Sequence, residues 1–388
     1  MDILGNSLIY LDNNSTTKID ERVVEAMLPY LNELYGNPSS SHNFGIEINK
    51  AIQESRKSVA ELIHSDNSDI VFTSGGTESI NLALKGYAFA NQNKGRHIIT
   101  VQSEHKAVLD TCMYLESVGF TITYLPVNKN GVINLDVFNA AFNPETILVS
   151  VMLANNETGV LQPIKEIAEI SHAKGAAFMC DVTQALGKIE IDVEELQIDL
   201  MPFSGHKFYG PKGVGGLYVK DLKKRKTYLE PLQHGGGHEN GLRSGTLNVP
   251  GIVGMGAACR IAREEMKFNA NKIEVLRNFI EKELLKIPDT FINGGGTNRM
   301  FNVSNICFPG IDANVFIGRM KNIAVSTGSA CTSAIFEPSH VLKAMSLSDD
   351  DAMASIRFSF GKYNTESEVH STLDIIHKLL DEKPLSYA

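Results

Sequence analysis

Residues 69–90 read DIVFTSGGTESINLALKGYAFA. The stretch opens with a short run of β-branched and aromatic residues, crosses a Ser-Gly-Gly turn and continues as a segment of helical composition. A strand that feeds a helix through a tight glycine turn is half of a βαβ unit. The same rhythm recurs towards the C-terminus. Strands are predicted at 69–74, 97–103, 121–127, 146–153, 176–182 and 199–204, with helical segments at 79–90, 106–118 and 164–174. Such alternation predicts a mainly parallel mixed sheet with helices on both faces. The next strand, 214–219, follows Gly210-Pro211-Lys212-Gly213. That connection is too short for a crossover helix, so the strand is expected to pair antiparallel.

Upstream, Ile48, Ile52, Val59 and Ile63 suit a helix over 47–63. A long helical stretch, 252–285, leads into a region where strand-like 303–308 and 356–360 mix with helices. The expected fold is α/β, with a large domain over 16–260 and a smaller α+β domain made from 1–15 and 261–388. No internal repeat or low-complexity segment interrupts it.

Composition narrows the function. The 388 residues are 43% hydrophobic and 21% charged, ordinary for a globular protein. A net charge of −9 argues against a nucleic-acid-binding surface. The runs Lys223-Lys224-Arg225-Lys226 and Asp349-Asp350-Asp351 read as solvated faces. No stretch approaches the roughly 20 apolar residues of a membrane helix, and MDILGNSLIYLDNNSTT lacks the pattern of a signal peptide. The five cysteines, Cys112, Cys180, Cys259, Cys307 and Cys331, are scattered and odd in number. Free thiols and a cytoplasmic location are expected.

Ligands of open parallel sheets gather at the carboxyl ends of the strands. After 69–74 come Gly75-Gly76-Thr77, either an anion cradle at a helix N-terminus or a tight turn capped by Thr77. The glycine spacing fits neither a dinucleotide nor a nucleoside-triphosphate motif. After 97–103 comes His105, after 146–153 Asn155-Asn156, and after 176–180 Asp181 and Gln184. Asp181 is a helix N-cap or the partner of a cation. After 199–204 come His206 and Lys207. The accumulation at one end of one sheet suits pyridoxal phosphate. That cofactor needs a phosphate cradle, a lysine for its aldehyde and a carboxylate for its ring nitrogen. Lys207, at a strand end, is aimed and partly desolvated, whereas its rival Lys212 sits in a turn and points to water. His234 and His238 hint at a metal pair, but glycines between them deny a helix and no third ligand is near, so no metal is expected.

The chain resembles the cysteine desulfurases of the housekeeping and nitrogen-fixation group, within the class V aminotransferases. The likeness runs nearly end to end through YLDNNSTT, YGNPSSSH, FTSGGTESINLALKG, SEHKAVL, NNETGVLQPI, DVTQALGK, SGHKFYGPKGVGGLYV, GGGHENGLRSGTLNV, STGSACTS and SIRFSFGKYNT. It implies the pyridoxal-phosphate fold type I, a homodimer and L-cysteine as substrate. Lys207 matches the cofactor-linked lysine and His105 the histidine stacked on the ring. Asp181 matches the partner of the ring nitrogen, and Gln184 the donor to the phenolic oxygen. Gly76, Thr77, Ser204 and His206 match the phosphate cradle, with Thr246 reaching in from a second subunit. Asn13, Asn156 and Arg357 match groups around the substrate carboxylate and cofactor.

Cys331 matches the cysteine that takes the sulfur. Its small polar neighbours, Ser326 to Ala330 and Thr332 to Ala334, contrast with the apolar surroundings of Cys180. The resemblance implies a persulfide on Cys331, transient contact of Cys331 with an iron–sulfur cluster, and delivery to an iron–sulfur scaffold protein or to tRNA thiolation. HGGGHENGLRSGT matches the loop that crosses the dimer interface. The readings to be separated from this one are a selenocysteine lyase, a class V transaminase and a partner-activated sulfur-delivery protein. Housekeeping members carry a longer tail after the helix matching STLDIIHKLL, which leaves the docking partner open.

Overall fold

The alternation that begins at residue 69 builds a seven-stranded sheet. The structure, a computed structural model, describes residues 8–224, 227–328 and 337–382. The strands are β1 (Ile70–Thr73), β2 (His97–Val101), β3 (Thr121–Leu125), β4 (Thr146–Ser150), β5 (Ala177–Met179), β6 (Leu200–Ser204) and β7 (Gly215–Val219). Their spatial order is β1-β7-β6-β5-β4-β2-β3. Strands β2 to β6 pair in parallel. Strand β7 runs antiparallel to both its neighbours, as its short connection demands.

Several ladders are shorter than the apolar runs that announce them. Strand β4 ends at Ser150, yet Val151, Met152, Leu153 and Ala154 remain buried. Backbone bonds from Val151 to Met179 and from Leu153 to Asp181 still tie this extension to its neighbour. Apolarity reports burial, whereas a strand ends where its ladder becomes irregular.

Alternate side chains pack on opposite faces. Val71, Ile98, Leu148, Leu200 and Leu217 meet Leu82 of helix Gly76–Asn91 and Val108 of helix Lys106–Ser117. Phe72, Ile99, Val149, Phe178 and Phe203 face Ile48 and Ile52 of helix Asn43–Leu62 and Ile167 of helix Ile164–Ala173. Burial on both faces is what an all-apolar parallel strand requires. The edge strand β3 keeps only Leu125 fully buried.

Helix Val249–Leu284 runs for 36 residues, roughly 54 Å at the standard rise. Its first half belongs to the core of the large sheet. Ile273, Leu276, Ile280 and Leu284 belong to a separate core with Ile306, Ile356 and Phe358. There Val303–Cys307 pairs antiparallel with both Ser355–Ser359 and Phe291–Ile292. Ile9–Tyr10 pairs with Ile323–Ala324 beside that second core. The chain then crosses to the large sheet, where Thr17 N–H donates to the His206 carbonyl at 3.0 Å. That crossing brings the two halves of the site together.

The long helix touches helix Asn43–Leu62 at Gly256, where a Cβ would stand 2.7 Å from Ser55 Cα. Gly256→Val is expected to destabilise the fold by about 1–3 kcal/mol. The readout is a lower urea midpoint at unchanged slope; an unchanged midpoint would show that the two helices separate freely.

Candidate active site

The carboxyl ends of the strands share one rim, and a cavity on it is lined by Gly76, Thr77, His105, Asn156, Asp181, Gln184, Ser204, His206, Lys207 and Arg357. After β1, Ser74-Gly75 lead into helix Gly76–Asn91, which has no side-chain cap. Its first N–H groups have no intrahelical acceptor and suit an anion. The turn lies close against β7, where a Cβ on Gly215 would stand 2.6 Å from Gly75 Cα. That contact explains a glycine at the start of a buried strand. Over Gly76, a Cβ would meet Thr183 Oγ1 at 3.4 Å and Ser204 Cβ at 3.6 Å. Two hydroxyl residues thus wall the space above the turn.

His105 caps helix Lys106–Ser117, its Nδ1 accepting from Ala107 N–H at 3.1 Å. An accepting Nδ1 leaves the proton of a neutral ring on Nε2. Burial pushes the His105 pKa down, against the opposing pull of the Asp181 carboxylate. Asp181 Oδ1 accepts from Thr183 N–H at 2.8 Å, so the carboxylate caps a turn and lines the cavity at once. His206 is pushed down to about 4 by burial and then by Lys207, Lys212 and Lys188. Its Nδ1 lies 3.1 Å from Thr16 Oγ1.

Lys207 ends a single turn, Gly205–Lys207, directly after β6. Its Nζ donates to the carbonyls of Asn14 at 2.7 Å and Ser15 at 2.8 Å. Arg357, only 3% exposed, arrives from strand Ser355–Ser359. Its Nη2 donates to Asp12 Oδ1 at 2.7 Å and Ser15 Oγ at 2.6 Å, and its Nη1 to the Asn156 carbonyl at 3.1 Å.

Among the described residues, three buried polar atoms of cavity-lining residues have no hydrogen-bond partner: Arg357 Nε, Asn156 Oδ1 and Thr183 Oγ1. Buried polar groups are nearly always paired, so three orphans at one cavity point to a polar ligand there. A lysine, a carboxylate, an amide and a helix N-terminus walled by hydroxyls make a donor set that fits pyridoxal phosphate.

Two of the expected residues do not line the cavity of this chain, and for Thr246, expected from a second subunit, no such lining is foreseen. Asn13 is buried, but its Nδ2 is spent on the Ser359 carbonyl at 2.9 Å, and Asn14 lines the cavity in its place. Thr246 is exposed and does not line the cavity of its own chain. Cys331 lies outside the described residues; Gly328 and His340, on either side of it in the chain, do line the cavity.

The family pattern of the class-V aminotransferases matches residues 9–371. The chain belongs to the class-V aminotransferase family. It is 49% identical over 383 residues to a protein named cysteine desulfurase IscS from Dechloromonas aromatica, covering 97% of this chain and 94% of the relative. The protein of that name from Salmonella typhi is 48% identical, covering 97% and 95%. Among solved structures, one titled NifS-like protein superimposes with a TM-score of 0.91 at 39% identity, covering 97% of this chain and all of that one.

In this class-V aminotransferase the cavity also holds residues that the sequence reading passed over. Thr183 could have been found, since it is a hydroxyl between Asp181 and Gln184 in DVTQ. Glu157 had no such signal: it is buried, accepts from Ser339 Oγ, and has its pKa raised by burial. His340 was equally silent, and its Nε2 lies 2.9 Å from the Glu104 carbonyl. A carbonyl only accepts, so this Nε2 carries a proton.

Proposed function

We propose that the chain removes the sulfur of free L-cysteine, leaves L-alanine, and holds the sulfur as a persulfide on Cys331. It is a pyridoxal-phosphate-dependent cysteine desulfurase. The observation that carries the reading is the meeting of Lys207, Asp181, Gln184 and the Gly76 turn in one cavity. Near-half identity with proteins named cysteine desulfurase supports the substrate.

Gly76, Thr77, Ser204 and His206 hold the phosphate, joined by Thr183 and by Thr246 of a second copy in a homodimer. Asp181 keeps the ring nitrogen protonated, Gln184 donates to the phenolic oxygen, and His105 stacks on the ring. When bound, the cofactor supplies a sink for the electron pair released at the substrate Cα. Lys207 Nζ takes the Cα proton and returns it, held meanwhile by the carbonyls of Asn14 and Ser15. Asn156 and Arg357 orient the substrate carboxylate, with Asn13 supporting the same segment. Cys331 Sγ, as thiolate, bonds to the substrate sulfur as the Cβ–S bond breaks, and the pair of that bond stays on Cβ, which takes a proton on the way to alanine.

Arg357→Lys keeps the charge but loses the planar fork. It is expected to raise the KM for cysteine about 10–100-fold with a smaller change in kcat. Initial rates over a cysteine series would decide this, and an unchanged KM would remove Arg357 from the carboxylate site.

The large domain in this reading spans 16–260, and the small one 1–15 and 261–388. The sulfur goes to an iron–sulfur scaffold protein in the cytoplasm, with tRNA thiolation as a second outlet. No helix among the described residues is long and apolar enough to cross a membrane. The test is to give the pyridoxal-phosphate-loaded protein L-cysteine and a reductant, and to quantify alanine and sulfide. Equal amounts of both support the reading. A keto acid in place of alanine, or turnover of selenocysteine alone, would overturn it in favour of a transaminase or a selenocysteine lyase.

A further inference from the structure

Lys188 is buried four residues beyond Gln184, outside the cavity lining. Among the described residues its Nζ has one hydrogen-bond acceptor, Gln184 Oε1 at 3.2 Å. Burial, and then the nearby cations Lys207 and Arg357, push its pKa down to about 7. A buried amine facing like charges costs stability, and a methionine would fill the same space without that cost.

This contact and one at the other end of the amide set the direction of the Gln184 side chain. The two ends of a glutamine amide are nearly the same size, so either could face the site. As an ammonium Lys188 can only donate, which favours Oε1 on its side. The other end, Nε2, is then turned to the Asn14 carbonyl at 2.9 Å. The same carbonyl accepts from Lys207 Nζ at 2.7 Å. A continuous chain therefore runs from Lys188 through Gln184 and the Asn14 carbonyl to Lys207.

We propose that Lys188 is a positioning residue for the cofactor's phenolic oxygen, locking the Gln184 amide so that it presents N–H and never a carbonyl oxygen. The inference rests on the reading of the cavity as a pyridoxal phosphate site in which Gln184 donates to that oxygen. With Lys188 gone only the Asn14 carbonyl holds the direction of the amide, and a carbonyl turned to the phenolic oxygen would repel it.

The test is made on Lys188→Met, which keeps length and loses the donor. The cofactor's dissociation constant is expected to rise roughly 3–10-fold, the weight of one hydrogen bond. The pH midpoint of the visible absorption band is expected to move up by about half to one unit. Both changes should vanish when Lys188→Met is made in a Gln184→Ala background, because the lysine acts only through that amide. If Lys188→Met does not fold, Lys188→Arg, whose fork places its donors elsewhere, is read in the same two backgrounds. Equal shifts in both backgrounds, or none in either, would overturn the proposal. A wild-type protein that shows the band and loses it in Lys207→Ala keeps the cofactor reading intact in that event. A wild type with no band at all would end both.

Discussion

Lys207→Ala protein mixed with pyridoxal phosphate should show neither the visible band nor measurable turnover of L-cysteine. The expected loss of rate is at least about 10⁴-fold, since a covalent anchor and a general base disappear together. One other lysine, Lys106, lines the cavity, but it comes from the first turn of the helix that His105 caps and not from the end of β6. Lys212 is exposed in the turn beyond, and Lys188 is buried against Gln184 away from the cavity lining. Lys207 alone comes off the end of β6 within the rim, its Nζ steadied by two carbonyls. Absorbance and single-turnover alanine formation read the two roles separately. A variant keeping a hundredth of wild-type turnover would remove Lys207 as the base.

Cys331→Ala should keep the visible band and lose sulfide release from L-cysteine by at least about 10³-fold. The argument comes from the other cysteines. Cys112, Cys180, Cys259 and Cys307 are all buried and free. Burial pushes Cys112, Cys259 and Cys307 up to about 12 and Cys180 well above its ordinary value. At neutral pH a thiol titrating near 12 is thiolate in only about one molecule in 10⁵. None of the four lines the cavity. A rescued reaction therefore has no source among them, and full sulfide production by Cys331→Ala would show that sulfur leaves without a protein thiolate. Sulfide and alanine measured together, with the absorbance as a check on cofactor loading, distinguish a lost acceptor from a lost site.

Much of this was legible in the order of residues, for a local reason. A strand, the turn after it and the helix beyond are neighbours in sequence, so the turn that carries Gly76, His105, Asp181 or Lys207 can be read without knowing where the chain goes next. The parallel sheet and its rim follow, because alternation leaves a βαβ chain few other arrangements. The contrast between the surroundings of Cys180 and Cys331 was readable in the same way.

The rest depends on meetings between distant segments. Arg357 reaches Asp12 across 345 positions of sequence, and Asn14 reaches Asn156 across 142. Nothing in YLDNNSTT says that Asn13 turns to Ser359 while Asn14 turns to the cavity. That choice is made by the crossing of this segment between the two cores. Nothing in DVTQALGK says that Lys188 is buried with one amide oxygen as its acceptor among the described residues. Periodicity and turn chemistry are carried by neighbouring residues, so the sequence by itself determined the layered α/β fold and which loops line its rim. Desolvation and hydrogen-bond direction are properties of a packed interior, so only the tertiary structure decided which atoms in those loops remain available to a ligand.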